Sequence, residues 1–400
     1  MERQVRELAR RGVVCLCIWV SPGTARAAAR LRPDLGALFD VHLDFRTVPE
    51  AGLGACLGGV DGDLVLLEGD VVYDERLIVC LLQGGPGTAV AGEGGTVALW
   101  LDPSQARRLG GRLQGRGILG PGELAAAAAE LGLRLTAAAE LDPYVPALRL
   151  TLPPFAVRVG ASDDLRALDH LMYRRTFKGV IDAVARYGYY HLVRWLTRRL
   201  SFTGVTPNVL TVLSVLAVWA VVPCFATGRF GLGVGLAWAG VLLDSVDGKL
   251  ARLRLHHSER MGAFEHLAAM PGLGLWYAAV GWHLCGGHLM QTHGWAALTW
   301  ALLAVFLLDK GVTGGFRALW GRELFDYERL DARFHLVAAR RNVSLVMLTV
   351  GAGVGRIGSA LVAVAAWTGA TLAFHALRFA WGSLALRRTA GARRRRSASA

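Results

Sequence analysis

Charge is scarce in this chain. Only 19% of its 400 residues are Asp, Glu, Lys or Arg, against 53% hydrophobic, and the mean hydropathy is +0.38. A water-soluble chain this apolar would need a very large core, with too few charged side chains left to cover it. The composition excludes disorder and collagen-like repeats and points to a membrane protein. Cysteine is also sparse. The six residues Cys15, Cys17, Cys56, Cys80, Cys224 and Cys285 include no CxxC and no metal-type spacing, which excludes a disulfide scaffold or a zinc site. Cys15 and Cys17, two apart in a strand-like run, are expected to share a face, and buried thiols in a reducing compartment are the expectation for the set. The start, Met1-Glu2-Arg3-Gln4, lacks the basic, apolar and small-residue succession of a signal peptide, so the first 160 residues are expected to stay cytosolic.

Acidic residues run short where the chain is most apolar. Residues 1–160 hold 16 Lys/Arg and 18 Asp/Glu, a net −2, whereas residues 161–400 hold 28 against 13, a net +15. Basic excess confined to the apolar half fits anionic lipid headgroups and cytoplasmic loops. No nucleic-acid motif accompanies the arginines, so no nucleic-acid partner is expected.

The expected architecture is an N-terminal α/β domain with a mostly parallel sheet, followed by an all-α polytopic membrane domain of six transmembrane helices. Residues 1–160 alternate helical stretches with the apolar runs Val13–Val20, Leu64–Leu67 and Val97–Leu101, the pattern of buried strands. The alanine-rich stretch Glu123–Glu140 reads as a helix, and Pro153-Pro154 as a boundary. Residues 161–200 mix Tyr187, Tyr189, Tyr190 and Trp195 with Arg194, Arg198 and Arg199, as suits a helix at a membrane interface. Residues 201–386 form the membrane domain, with spans expected near 207–227, 230–247, 261–284, 294–313, 342–355 and 357–380. Arg252, Arg254, Arg260, Arg317, Arg322, Arg329, Arg333, Arg340 and Arg341 fall in loops on one side, against Arg229 and Arg356 on the other. The basic tail, residues 387–400, joins the richer side. Both termini are then cytoplasmic in the cell's inner (plasma) membrane.

Chemistry concentrates in Asp244-Ser245-Val246-Asp247-Gly248-Lys249-Leu250-Ala251-Arg252, at the cytoplasmic end of the second span. Carboxylates three apart share a helix face, and ionised groups at the edge of hydrocarbon are costly unless partnered. Hard oxygen ligands there suit Mg²⁺, Mn²⁺ or Ca²⁺. Gly248 and Ala251 remove bulk from the same surface, and Arg252 adds a cation. A solvated carboxylate pair, or one paired with Arg252 and Arg254, is the plain alternative.

The pattern D-x-x-D-G-x-x-A-R at the end of a span resembles the signature of the CDP-alcohol phosphatidyltransferase family. Thr206-Pro207-Asn208, opening the first span, is similar to that family too. The resemblance implies an integral membrane enzyme of phospholipid or related polar-lipid synthesis. It would move a phospho-alcohol from a CDP-alcohol to an alcohol or phospho-alcohol acceptor and release CMP. It also implies two divalent ions (Mg²⁺ or Mn²⁺) held by Asp244, Asp247 and Glu265, with CMP against Asn208, Gly248, Ala251 and Arg252, and a homodimer. Arg340 and Arg341 are expected to meet an acceptor phosphate. The remainder of the signature departs from the family. Counted without gaps, Met261 falls on its glycine, Glu265 on its third aspartate and Ala269 on its fourth, the general-base position. Aligning Gly262 instead puts His266 and Met270 on the carboxylate positions. Alanine cannot take a proton, so His266, His256 or His257 would have to substitute. The alternative is a catalytically silent, CDP-alcohol- or lipid-binding scaffold.

In the N-terminal domain, Leu66-Leu67-Glu68-Gly69-Asp70 resembles the central strand of sugar-nucleotide and cytidylyl transferases, which implies that Asp70 meets metal and nucleotide. The glycine-rich phosphate loop of those enzymes has no counterpart here, so a degenerate relative or a downstream start is expected. The combination resembles bifunctional enzymes that make and then use a CDP-inositol phosphate, and so suggests a polar phosphorylated acceptor.

Overall fold

The computed structural model describes residues 2–13, 15–20, 42–48, 52–95, 97–115, 122–145, 148, 150–160, 162–179, 181–254 and 259–398. It divides into two compact units, Met1–Arg175 and Thr176–Ala400.

The first unit is α/β, but its sheet is mixed rather than mostly parallel. Helix α1 (Glu2–Arg10) precedes β1 (Cys15–Val20), which pairs in parallel with β2 (His42–Thr47). Next come α2 (Leu53–Gly58), β3 (Leu64–Leu67), β4 (Val71–Tyr73), α3 (Glu75–Gly84), β5 (Thr88–Ala91) and β6 (Val97–Leu101). They are followed by α4 (Pro103–Arg112), α5 (Glu123–Glu130) and β7 (Arg134–Ala137). The four-stranded sheet has the order β3-β6-β5-β7, in which only β5 and β7 run parallel. Residues 92–96 join β5 to β6, far fewer than the dozen or so a parallel crossover needs. The sequence misled because Val97, Ala98, Leu99 and Leu101 of β6 are all buried, so both faces of the strand are covered, as in a parallel sheet.

Three further expectations change in this unit. The alanine-rich stretch is a helix only to Glu130; the chain then passes through Gly132 at φ +67° and re-enters the sheet as β7. Cys15 and Cys17 do share a face of β1, but that face is exposed. The chain does not leave the unit at Pro153-Pro154. After the short pair β8 (Tyr144–Val145) and β9 (Leu150–Thr151), β10 (Ala156–Arg158) pairs antiparallel with β4, and α6 (Ser162–Arg174) follows. The division falls after Arg175, whose guanidinium binds buried Asp74 at 2.6 Å and lies 4.3 Å over the Phe155 ring.

The second unit is helical. A π-helical turn (Val184–Gly188) leads into α7 (Tyr190–Ser201), which buries Val193 and Thr197 and exposes Leu192 and Trp195. Six helices follow: α8 (Pro207–Ala226), α9 (Phe230–Leu253), α10 (Glu259–Leu284), α11 (Gly294–Trp320), α13 (Arg341–Gly353) and α14 (Ile357–Ala398), with the short α12 (Arg329–His335) before α13. Among the described residues, four are long and apolar enough to cross a membrane: Pro207–Ala226, Phe230–Leu253, Gly294–Trp320 and Ile357–Leu386. The expected fifth span is only 13 residues long as a helix, about 20 Å at 1.5 Å per residue, short of the roughly 30 Å of bilayer hydrocarbon.

The helices pack around Val218, Phe225, Val241, Trp276, Tyr277, Leu345 and Leu361. Small residues allow close approach, as expected where lipid gives no hydrophobic drive between helices. A Cβ on Gly272 would lie 2.3 Å from Val218 Cγ1, and one on Gly281 would lie 2.0 Å from Thr299 Oγ1. Polar groups tie the bundle. Trp276 Nε1 donates to the Val218 carbonyl at 2.8 Å, and Tyr277 OH to Ser344 Oγ at 2.8 Å. Leu216, Leu307, Leu308, Val362 and Leu377 point outward, the apolar exterior a lipid-facing bundle presents.

Candidate active site

The expected pair, Asp244 and Asp247, lies in the last three turns of α9. Asp247 is only 3% exposed. Its Oδ2 accepts a hydrogen bond from Thr211 Oγ1 at 2.6 Å, and its Oδ1 contacts the Gly248 backbone N–H. Thr211 lies one turn beyond Asn208 on α8, whose first residue is Pro207 and whose N-cap is Thr206 in extended conformation. The Thr-Pro-Asn start therefore brings the first turns of α8 against the carboxylates, with Asn208 half-buried one turn nearer the helix end. Proline at the first helical position suits this start, since its missing N–H has no intrahelical partner anyway.

Asp244 is paired differently: its Oδ2 binds the Arg341 guanidinium. The two arginines expected at an acceptor phosphate thus part company. Arg341 joins the Asp pair, whereas Arg340 Nη1 lies 2.8 Å from His335 Nε2. Arg252 donates from Nε to the Thr176 carbonyl at 2.6 Å, and its guanidinium lies over Gly248, where a Cβ would come within 3.2 Å of Nη2. Ala251, on the same face, is half-buried. Lys249 Nζ donates to the Ser245 carbonyl at 3.1 Å and stands 4.9 Å over the Phe177 ring.

Sequence reasoning missed a second set of groups behind the pair. Asp182, 4% exposed, accepts from Asn342 Nδ2 at 2.7 Å and from the Ala185 backbone N–H at 2.9 Å. Asn342 Nδ2 also donates to Tyr189 OH at 2.9 Å, and that oxygen is 3.4 Å from Ser245 Oγ. Burial, opposed by the Ser245 hydrogen bond, raises the Tyr189 phenol above its usual range. The available signal was polarity in an apolar setting: Thr211 and Asn342 are hydroxyl and amide groups inside hydrophobic runs.

The donor chemistry suits a hard divalent cation. Asp247 is a buried carboxylate whose partners are a hydroxyl and a backbone N–H, and such a charge is costly without a cation. Among the described residues no group of three or more His, Cys, Asp or Glu side chains converges. Glu265, His266 and Ala269 lie on α10, but their side chains are outside the described set. His256 and His257 are outside the described residues altogether.

Residues 204–368 match the family model for CDP-alcohol phosphatidyltransferase. This stretch is similar to CDP-alcohol phosphatidyltransferase domains. It encloses Asn208, Thr211, the Asp244–Arg252 segment and Arg341. Over 168 residues the chain is 32% identical to a bifunctional IPC transferase and DIPP synthase of Rubrobacter xylanophilus, a match covering 41% of this chain and 35% of that protein. The chain therefore spans about a third of the length of this curated relative. It also resembles, at 19% identity and a TM-score of 0.36, the crystal structure of Mycobacterium tuberculosis phosphatidylinositol phosphate synthase with CDP-DAG bound, covering 47% of this chain and 94% of that one.

In the first unit, Asp70 stands in the turn between β3 and β4. Strand β3 is at one edge of the four-stranded sheet, not its centre. Arg158 bridges Asp70 at 2.7 Å and the buried Glu68 at 2.6 Å. Burial works against its charge, and these two hydrogen bonds hold the guanidinium above its usual range. Tyr73 OH, beneath them, donates to the Val97 carbonyl at 2.9 Å.

Proposed function

We propose that the second unit is an integral membrane CDP-alcohol phosphotransferase, transferring a phospho-alcohol from a CDP-alcohol to an acceptor hydroxyl with release of CMP. The observation that carries this reading is the pair Asp244–Asp247, with Asp247 buried and held by Thr211, inside a stretch similar to that family's domains. Asp244, Asp247 and Glu265 would hold Mg²⁺ or Mn²⁺. Ions bound there would neutralise the pyrophosphate of the donor. The chain's own residues do the rest. Gly248 and Ala251 keep the helix face flat against the nucleotide, Arg252 offers a cation to the CMP phosphate, and Asn208 meets the nucleotide from α8. The acceptor oxygen forms the new P–O bond as the bond to CMP breaks. With alanine at position 269, His266 is the substitute to take the acceptor's proton.

The membrane arrangement follows the same reading. The arginine-rich loops favour an arrangement with the Asp pair and both termini on the cytoplasmic side, with α13 reaching only part-way across the bilayer, and Arg198 and Arg199 of α7 at the headgroup level. A phosphorylated polar acceptor is favoured, since Arg341 already stands at Asp244 and the relative's name pairs an IPC transferase with a DIPP synthase. For the first unit, nucleotidyl transfer through Asp70 is the weaker reading, because Arg158 already engages that carboxylate. Ala269 favours a silent, binding-only member as the second reading.

One assay separates the two readings. Full-length protein in detergent with Mg²⁺ or Mn²⁺, a panel of CDP-alcohols and a panel of phosphorylated alcohols should release CMP, and Asp247→Ala should abolish the release. Silence in the wild type, with turnover gained by Ala269→Asp, would establish the second reading instead.

A further inference from the structure

Asn342 is the second residue of α13 and only 7% exposed. Both of its amide hydrogens are used, one on the Asp182 carboxylate and one on the Tyr189 phenol oxygen. This fixes the amide's orientation, because exchanging its oxygen and nitrogen would set a carbonyl against a carboxylate. The Asn342 carbonyl oxygen, Oδ1, is consequently buried with no hydrogen-bond partner among the described residues. An acceptor left so carries the full cost of its lost hydration, and folded proteins retain few of them without a purpose.

Its position narrows what could satisfy it. Tyr189 OH, which takes one Asn342 hydrogen, lies 3.4 Å from Ser245 Oγ, and Ser245 sits between the two aspartates in sequence. The neighbouring Arg341 binds Asp244. Asn342 therefore approaches the carboxylates from the Asp244 end. The residues of α9 assigned to CMP, Gly248, Ala251 and Arg252, lie four to eight positions further along the helix, about 6 to 12 Å at 1.5 Å per residue. A group bound at Asn342 is thus on the side away from the nucleotide. An amide oxygen accepts a hydrogen bond and carries no charge, so its partner is a hydroxyl or an N–H, not a phosphate oxygen.

We propose that Asn342 Oδ1 accepts a hydrogen bond from a hydroxyl of the acceptor alcohol, with Asp182 and Tyr189 as positioning residues that aim it. The proposal rests on the phosphotransferase reading above. It divides the acceptor site into an anionic end read by arginine and a hydroxyl end read by a neutral amide.

The test is steady-state kinetics on the full chain in detergent, with a panel of CDP-alcohols, CDP-diacylglycerol among them, as donors and glycerol 3-phosphate or inositol phosphate as acceptor probes. CMP release without acceptor is measured alongside. Asn342→Ala is expected to raise the acceptor KM roughly tenfold, the loss of one hydrogen bond to a neutral group. It should leave the donor KM and acceptor-free CMP release within about twofold. Asp182→Asn keeps only one of the two oxygens that accept from Asn342 Nδ2 and the Ala185 N–H, so it should raise the acceptor KM part-way, whereas Asp182→Ala should share the full acceptor defect; this graded series carries the test even where Asn342→Ala folds poorly. An unchanged acceptor KM in Asn342→Ala and Asp182→Ala, or equal changes in donor and acceptor KM, overturns the assignment and leaves a water-filled structural network. A wild type that releases no CMP with any acceptor overturns the parent reading, and this assignment with it.

Discussion

Replacing Thr211 by valine keeps the side-chain shape and removes one hydroxyl. That hydroxyl has a single hydrogen and two acceptors in reach, Asp247 Oδ2 at 2.6 Å and the Pro207 carbonyl at 3.2 Å, so it goes to the carboxylate. Both residues are buried, at 5% and 3% exposure, and no solvent stands ready to replace the lost donor. A hydrogen bond to a charged group contributes about 1.5–3 kcal/mol. If Asp247 holds a divalent ion, Thr211 is the outer group that orients it, and loss of such a group lowers metal affinity by roughly 10–100-fold. The expected result for Thr211→Val is a rise of that size in the Mg²⁺ concentration giving half-maximal CMP release. Thr211→Ser, which keeps the hydroxyl, should stay near wild type. Thermal unfolding in the same detergent checks that the bundle survives. A Thr211→Val protein whose Mg²⁺ dependence matches wild type would refute the reasoning.

Two further outcomes follow from packing and burial. Gly281→Ala puts a Cβ 2.0 Å from Thr299 Oγ1, a clash that overpacking measurements put at about 1–3 kcal/mol and that outweighs the helix-propensity gain of up to about 1 kcal/mol. The detergent-solubilised protein should melt at lower temperature, and Thr299→Ala in the same chain should restore the midpoint. Burial, reinforced by Arg340, His375 and Lys310, lowers the His335 imidazole to about 3. An unfolded chain with histidine near its ordinary value of about 6.5 binds a proton that the folded chain refuses. Stability is therefore full above that pH and declines as the pH falls toward 3. His335→Gln should flatten that part of the curve of melting temperature against pH, and parallel curves for the two proteins would rule the effect out.

What could be read from the sequence was local. Asp244, Asp247, Gly248 and Arg252 share one helix face because the period of 3.6 residues demands it, and the structure keeps them together on α9. The four helices that, among the described residues, are long and apolar enough to cross a membrane were legible from length and composition. Partners supplied from far along the chain were not legible. Thr211, Tyr189, Asn342 and Asp182 join the site through bonds spanning 36 to 160 residues; the polarity of Thr211 and Asn342 beside apolar runs marks them as unusual but does not name their partners. Strand direction was similarly hidden. A short apolar run looks alike in parallel and antiparallel surroundings, so only the pairing of β6 with β3 and β5 revealed the mixed sheet. Gly132 carried a signal that was overlooked: a positive-φ residue after Glu130 ends the helix, although alanines continue beyond it.

The contact between Arg341 and Asp244 ties the order of events at the site to thermodynamic linkage. A guanidinium and a divalent ion draw on the same carboxylate, so each weakens the other's hold. An anionic acceptor that draws Arg341 to itself would release Asp244 to the metal, and by reciprocity a loaded metal would free Arg341 for the acceptor. Read this way, one ion pair couples two binding events with no moving domain. Because both competitors are charged, the strength of that coupling should fall as salt is added.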